Sequence, residues 1–206
     1  MIDLDKQGGI WTVTLNRPDK ANALTEGMLT RLADIAEEAG RSPQDARALI
    51  LTGAGKVFSA GADLDAARAG LATSPVWERL SGAIAALPCL TIAALNGTVA
   101  GGAMGMALAC DLRIAVPGAK AFYPVMKLGF LPQPSDPARL AALVGPARAK
   151  LVLLTGARID SETAHHWGLF DQIAAPETLL EEARALADHA IGATPDHAAA
   201  IKALIP

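Results

Sequence analysis

From Leu80 to Cys110 the chain carries no charged side chain, and no other feature constrains its fold as strongly. A run of that length is enough to cross a bilayer as a helix. Its interior argues against a span: Pro88, Asn96-Gly97 and Gly101-Gly102 cut it into pieces of about a dozen residues or fewer. Pieces this apolar must be buried in a protein core, where they read as a helix ending near Leu87, a strand over Leu90–Leu95 and a second helix from about Gly102 to Ala109.

The flanking sequence continues the alternation. Ile2 to Asp5 and Ile10 to Leu15 surround Gly8-Gly9 and predict an amino-terminal hairpin. Thr25 caps a helix whose apolar positions Met28, Leu32, Ile35, Ala36 and Ala39 follow helical spacing, closed by Ser42-Pro43. Ala48 to Thr52 reads as a buried strand, and Ser74-Pro75 opens the helix that leads into the uncharged run. Beyond it lie a strand near Leu112 to Val116, helices over Pro137–Val144 and Pro146–Thr155, a short helix over Ser161–Trp167, a strand over Phe170–Ile173 and a helix over Pro176–Ile191. The whole is an α/β pattern with no repeated segment, read as a core over residues 1–145 followed by a helical region, 146–206, that offers an oligomerisation surface.

Composition narrows the partners. With 51% hydrophobic but only 4% aromatic residues in 206, the chain folds around alanine and small aliphatics. Its 18 Lys and Arg against 21 Asp and Glu are dispersed, which argues against a nucleic-acid surface. Cys89 and Cys110 lie in apolar runs, and Met1 to Asp5 lacks a basic-then-apolar leader, so buried thiols in a reducing cytoplasm are expected.

Familiar signatures fail on inspection. Gly53-Ala54-Gly55-Lys56 resembles a phosphate loop, but Ile50 stands where its first glycine belongs and Val57 replaces the hydroxyl. Ser59 lacks the preceding glycine of a nucleophile elbow and reads as a packed small residue. The four histidines show no metal-ligand spacing, and no metal is expected. Two segments built of small residues stand out instead: Phe58-Ser59-Ala60-Gly61-Ala62-Asp63-Leu64 and Asn96-Gly97-Thr98-Val99-Ala100-Gly101-Gly102-Ala103. Each follows a predicted strand, and the second runs into an apolar helix whose first amides have no internal partners. If the two strand ends are adjacent, one N–H from each converges on a single oxygen and forms an oxyanion hole. Tight turns and close helix packing would use the same glycines.

Together these segments resemble the crotonase superfamily, the enoyl-CoA hydratase and isomerase family. The likeness continues through Asn16-Arg17-Pro18-Asp19-Lys20-Ala21-Asn22-Ala23-Leu24, Ala48 to Leu51, Ala107 to Ala115, Leu128-Gly129-Phe130-Leu131-Pro132, Leu143-Val144-Gly145 and Ala164 to Asp171, in the family's order. The resemblance implies a spiral of ββα turns that binds acyl-CoA thioesters and stabilises their enolates, with coenzyme A present only as part of the substrate. By position it implies Ala60 and Gly102 as the oxyanion amides, and Lys20, Ala21, Ala62, Asp63 and Leu64 as the coenzyme A contacts. It further implies a homotrimer or a hexamer of two trimers.

Departures from the family pattern limit the chemistry. The two positions where family hydratases carry glutamates are Gly105 and Val125 here, and neither side chain exchanges a proton, so two-glutamate hydration is not expected. Gln133 stands where some relatives place a tyrosine or an aspartate, and it is no base. Asp136 is the nearest carboxylate; its place before Pro137 makes it either a helix N-cap, the favoured reading, or a proton carrier. Tyr123 either projects into the acyl pocket or is a core tyrosine bonded to a backbone carbonyl. Asp63 reads as the residue that fixes the loop and caps the helix that follows it. The expectation is a lyase or isomerase that acts through an oxyanion-held enolate, by decarboxylation or else by isomerisation through Asp136 or Tyr123. A catalytically degenerate acyl-CoA-binding or subunit-interaction protein is the alternative.

Overall fold

The structure is a computed structural model and describes residues 1–205. In chain order the strands are β1 (Ile2–Gln7), β2 (Ile10–Leu15), β3 (Ala48–Gly53), β4 (Val57–Ser59) and β5 (Leu90–Leu95). They are followed by β6 (Thr98–Ala100), β7 (Leu112–Ala115), β8 (Lys120–Phe122), β9 (Ile159–Asp160) and β10 (Gln172–Ile173). The helices are α1 (Glu26–Arg41), α2 (Leu64–Arg68), α3 (Val76–Ala85), α4 (Ala103–Ala109) and α5 (Val125–Leu128). After them come α6 (Asp136–Val144), α7 (Pro146–Thr155), α8 (Ser161–His166), α9 (Leu179–Gly192) and α10 (Pro195–Ala203).

Two sheets share these strands: a six-stranded sheet in the order β1-β2-β3-β5-β7-β10 and a four-stranded sheet in the order β4-β6-β8-β9. The β1–β2 hairpin is antiparallel, with Gly8 and Gly9 both at positive φ in its turn, and β2, β3, β5, β7 and β10 then pair in parallel. Each turn of the chain lays one long strand in the large sheet and one short strand in the small one before a helix returns it. This repeats as β3-β4, β5-β6 and β7-β8, which is the ββα spiral expected.

The uncharged run behaves as its composition requires. Ile92 to Leu95 in β5 and every residue of α4 are buried. Helix α1 starts at Thr25, whose side chain accepts the Met28 N–H at 3.4 Å, and buries the apolar stripe read from its spacing. The small sheet is the unexpected element. Its strands have two or three residues each, too short to show an alternating pattern in the sequence.

After residue 145 the strand expected over Phe170–Ile173 is present as β10, and β9 is an addition that the sequence did not show. These two are edge strands of the two sheets, while α9 packs on β2, β3, β5 and β7 with Ala183 and Ala187 buried. Lys202 of α10 is tied down by Asp111 Oδ2 at 2.8 Å and by the Cys89 carbonyl at 3.0 Å. Cys89 and Cys110 are free and buried. Among the described residues no helix is long and apolar enough to cross a membrane.

Candidate active site

The small sheet builds the site. Strands β4, β6 and β8 are neighbours and parallel, so their carboxyl ends meet at one edge, where such sheets place their ligands. Those ends lead into Ala60–Ala62, Gly101–Gly102 and Tyr123. The contact between the first two is close: a Cβ on Gly61 would lie 2.8 Å from the Ala100 carbonyl oxygen and 3.4 Å from the Gly101 Cα. Gly61 also has φ of +93°, so glycine is required there twice over.

The amides at this junction differ from expectation in one respect. The Ala60 N–H donates to the Ala21 carbonyl at 2.9 Å, so it is not free for a substrate oxygen and Ala60 is not an oxyanion amide. Gly61 N–H is held by Ser59 Oγ at 3.1 Å. Ala62 bridges Leu24 in parallel fashion, with Leu24 N–H on the Gly61 carbonyl and Asp63 N–H on the Leu24 carbonyl, both at 2.8 Å. That pattern turns the Ala62 N–H to the opposite side, and among the described residues it has no acceptor. Gly102, just ahead of α4, likewise has an N–H without an acceptor. The free N–H of this loop thus lies two residues after the one expected from the sequence, because the direction of each N–H follows a register that only the pairing with Leu24 fixes.

Ser59 has the packing role assigned to it: its hydroxyl donates to the Asn22 carbonyl at 2.8 Å and accepts from Gly61. Asn22, fully buried, was missed as a site organiser. Its Nδ2 reaches the Ala54 and Val57 carbonyls at 2.9 and 2.7 Å, and its Oδ1 accepts from the Arg17 N–H at 2.8 Å. Arg17 in turn bonds Asp63 at 2.8 Å, which holds the Asp63 carboxyl below its ordinary range, and Asp63 caps α2 through the Asp65 and Ala66 N–H groups. The segments carrying Lys20, Ala21, Ala62, Asp63 and Leu64 are thereby joined along one side of the amide pair. Lys20 is exposed there, and Leu64 is 72% exposed.

On the other side of Gly102 lie Trp77, Tyr123 and Asp136. A Cβ on Gly102 would meet the Trp77 ring at 3.0 Å, and the indole N–H is fixed on the Leu71 carbonyl at 2.8 Å. One helical turn further on, a Cβ on Gly105 would lie 2.9 and 3.0 Å from the two carboxylate oxygens of Asp136. Asp136 is not the N-cap favoured from the sequence; Ser135 takes that position, and the Asp136 side chain turns inward to 1% exposure. Its Oδ2 accepts the Tyr123 hydroxyl at 2.8 Å, while its Oδ1 is buried and unpartnered. Tyr123 therefore bonds a carboxylate, not a backbone carbonyl.

Burial pushes the Asp136 carboxyl up to about 6, and the nearby Glu78 charge adds to this, while the Tyr123 hydrogen bond and the Arg139 charge pull it down. The same burial, with the adjoining carboxylate, drives the Tyr123 phenol well above its usual range, so it stays a donor. Gln133 serves the pair through its N–H, 3.4 Å from the Tyr123 oxygen. Val125, which the resemblance matches to the second hydratase glutamate, is 7% exposed and brings no charge to the site. The arrangement sets two free amides on adjoining loops and, one helical turn from Gly102, a buried carboxylate raised to about 6, a combination suited to proton transfer next to a developing oxyanion.

Known proteins share the sequence pattern and the architecture. The family model for enoyl-CoA hydratase/isomerase matches residues 5–205. The chain is 35% identical over 190 residues to the 1,2-epoxyphenylacetyl-CoA isomerase of Escherichia coli, covering 88% of this chain and 72% of that one. Among solved structures, an enoyl-CoA hydratase from Bacillus anthracis superimposes with a TM-score of 0.92 at 32% identity, covering 99% of this chain and 81% of that one. An enoyl-CoA hydratase/isomerase from Pseudoalteromonas atlantica does so with a TM-score of 0.91 at 28% identity, covering 99% and 82%. By sequence and by architecture, the chain belongs to the enoyl-CoA hydratase/isomerase family of the crotonase superfamily.

Proposed function

We propose that this chain isomerises the acyl group of a coenzyme A thioester, with the N–H groups of Ala62 and Gly102 holding the thioester oxygen as an enolate and Asp136 moving the proton. The observation that carries the reading is the Asp136 carboxylate, seated against Gly105 with one oxygen buried and free. Asp136 takes a proton from carbon, the C–H electron pair moves onto the thioester oxygen, and the two amides stabilise the charge. Return of the same proton to a different carbon of the conjugated system shifts the double bond, so the step is balanced without an added reactant. Lys20, Ala21, Asp63 and Leu64 border the amide pair and are the contacts proposed for coenzyme A, which enters only as part of the thioester.

Isomerisation is preferred to the other reactions on electrostatic grounds. A carboxylate leaving as carbon dioxide would sit beside the ionised Asp136, which repels it, so decarboxylation is the weaker reading. Hydration needs a held and activated water, and Gly105 and Val125 offer nothing to hold one. The chain is further proposed to self-associate as a trimer, or a hexamer of two trimers. Met126 and Leu128 of α5 and Leu151 and Leu154 of α7 are exposed apolar side chains on two helices that pack together.

The direct test is incubation with acyl-, enoyl-, 3-hydroxyacyl- and malonyl-type coenzyme A thioesters in heavy water, read by mass spectrometry. Deuterium uptake or double-bond migration, reduced about a hundredfold or more in Asp136→Asn, is the expected result. Silence from the intact protein across the panel, with thioesters still bound, would instead identify a binding member of the family.

A further inference from the structure

We infer that Glu78 is a positioning residue for Asp136: reaching across from α3, it anchors Ser135 and so aims the adjoining carboxylate at Gly105. This rests on the role given to Asp136 above. Both carboxylate oxygens of Glu78 are spent on Ser135. Oε2 accepts the Ser135 N–H at 3.3 Å, and Oε1 accepts the Ser135 hydroxyl in a short contact. Ser135 is the N-cap of α6, yet its side chain caps nothing in its own helix, because the hydroxyl is turned to Glu78 instead. The anchor thus acts one residue before Asp136, in a segment where Pro134 and Pro137 leave few other backbone donors.

Helix α3 serves the site twice in succession. Trp77 covers Gly102, the residue carrying one of the free amides, and Glu78 holds the start of the helix that carries the acid. Because Gly102 and Gly105 are one turn apart on α4, a single rigid element sets both distances. A purely structural anchor would not need a charge. A carboxylate partnered by Ser135 and close to the buried Asp136 works against the ionised form of that neighbour.

The groups facing Asp136 are few. Tyr123 ahead of α5 donates to it, Arg139 of α6 attracts its charged form, Glu78 of α3 opposes that form, and α4, which brings Gly105 against it, carries no titratable side chain. Removing the charge of Glu78 while keeping its shape therefore lowers the pH at which Asp136 ionises. Removing the side chain altogether also frees the segment to move.

The experiment compares the intact protein with Glu78→Gln and Glu78→Ala, using but-3-enoyl-CoA as probe in turnover assays across pH and 13C-aspartate NMR to follow Asp136 itself. In Glu78→Gln the amide oxygen still accepts the Ser135 N–H and the amide NH2 donates to the Ser135 hydroxyl oxygen, so that bond is kept with its direction reversed; kcat is expected to stay within a fewfold, and the Asp136 titration and the acid limb of kcat both move to lower pH. In Glu78→Ala, kcat is expected to fall on the order of tenfold to a hundredfold with KM nearly unchanged. An unmoved titration in Glu78→Gln overturns the inference, as does an alanine variant with full kcat. Should the alanine variant fail to fold, the glutamine titration decides alone. The two readings separate cleanly: full turnover in Asp136→Asn overturns the proposed function, whereas an inactive Asp136→Asn with indifferent Glu78 variants overturns only the role of Glu78.

Discussion

The Tyr123 hydroxyl donates to Asp136 Oδ2 at 2.8 Å and leaves Oδ1 unpartnered against the α carbon of Gly105. One oxygen of the carboxylate is thus fixed and the other keeps its lone pairs unpartnered, the arrangement that the proposed proton transfer uses. The hydrogen bond favours the ionised carboxylate. In Tyr123→Phe the Asp136 titration is therefore expected to rise above about 6, and the acid limb of turnover to move to higher pH with it. Activity would fall more at pH 6 than at pH 8. A limb that stays in place shows that the phenol does not govern this carboxylate.

Asp136 also carries a cost to stability. Its carboxyl is raised in the folded protein from 3.8 to about 6, so its contribution is fully favourable below 3.8 and is lost as pH climbs through about 6. Asp136→Asn has no such loss. The variant is expected to be more stable than the parent at pH 7.5, by about 3 kcal/mol, with the advantage vanishing near pH 4. Urea unfolding at the two pH values measures it, and an equal difference at both would contradict the buried, raised carboxyl.

Gly105→Ala separates fold from chemistry. Alanine improves a helix interior by about 1 kcal/mol over glycine, so the fold should survive. The added methyl would stand 2.9 Å from one Asp136 oxygen and 3.0 Å from the other, and the carboxylate must swing aside. Turnover is expected to drop at least about tenfold with the melting temperature little changed. Unaltered kcat would mean that the carboxylate need not sit against α4.

Gly61→Ala attacks the junction of the two loops. The residue is at φ of +93°, and a Cβ would press to 2.8 Å on the Ala100 carbonyl, a backbone atom with nowhere to retreat. A loss of about 1–3 kcal/mol is expected, together with loss of turnover, because the Ala62 and Gly102 amides would be driven apart. Calorimetry and the thioester assay report the two effects separately.

Self-association through α5 and α7 predicts that Leu154→Lys, at a side chain already 59% exposed, reduces the assembly while leaving the monomer folded. Light scattering on the parent and the variant checks this. A parent that is monomeric at high concentration removes the trimer from consideration.

Much of the architecture was legible in the residues because burial leaves a periodic or compositional trace. The uncharged run from Leu80 to Cys110 required buried elements, and β5 and α4 are those elements. Thr25 and the spacing of Met28, Leu32, Ile35 and Ala39 marked α1 in the same way. The small sheet left no such trace, since strands of two or three residues have no period to read. Yet that sheet, through the parallel ends of β4, β6 and β8, is what gathers the site.

The sequence by itself determined the family of folds, the two small-residue loops, and the lack of a proton-exchanging side chain at positions 105 and 125. Tertiary structure decided the rest: that Ala62 and not Ala60 presents the free amide of its loop, and that Asp136 turns inward instead of capping its helix. The physical reason is the same in each case. The direction of an N–H depends on which neighbour the strand pairs with, and the ionisation of a carboxylate depends on what is packed around it; both are set by residues distant along the chain, such as Leu24 for Ala62 and Tyr123 for Asp136.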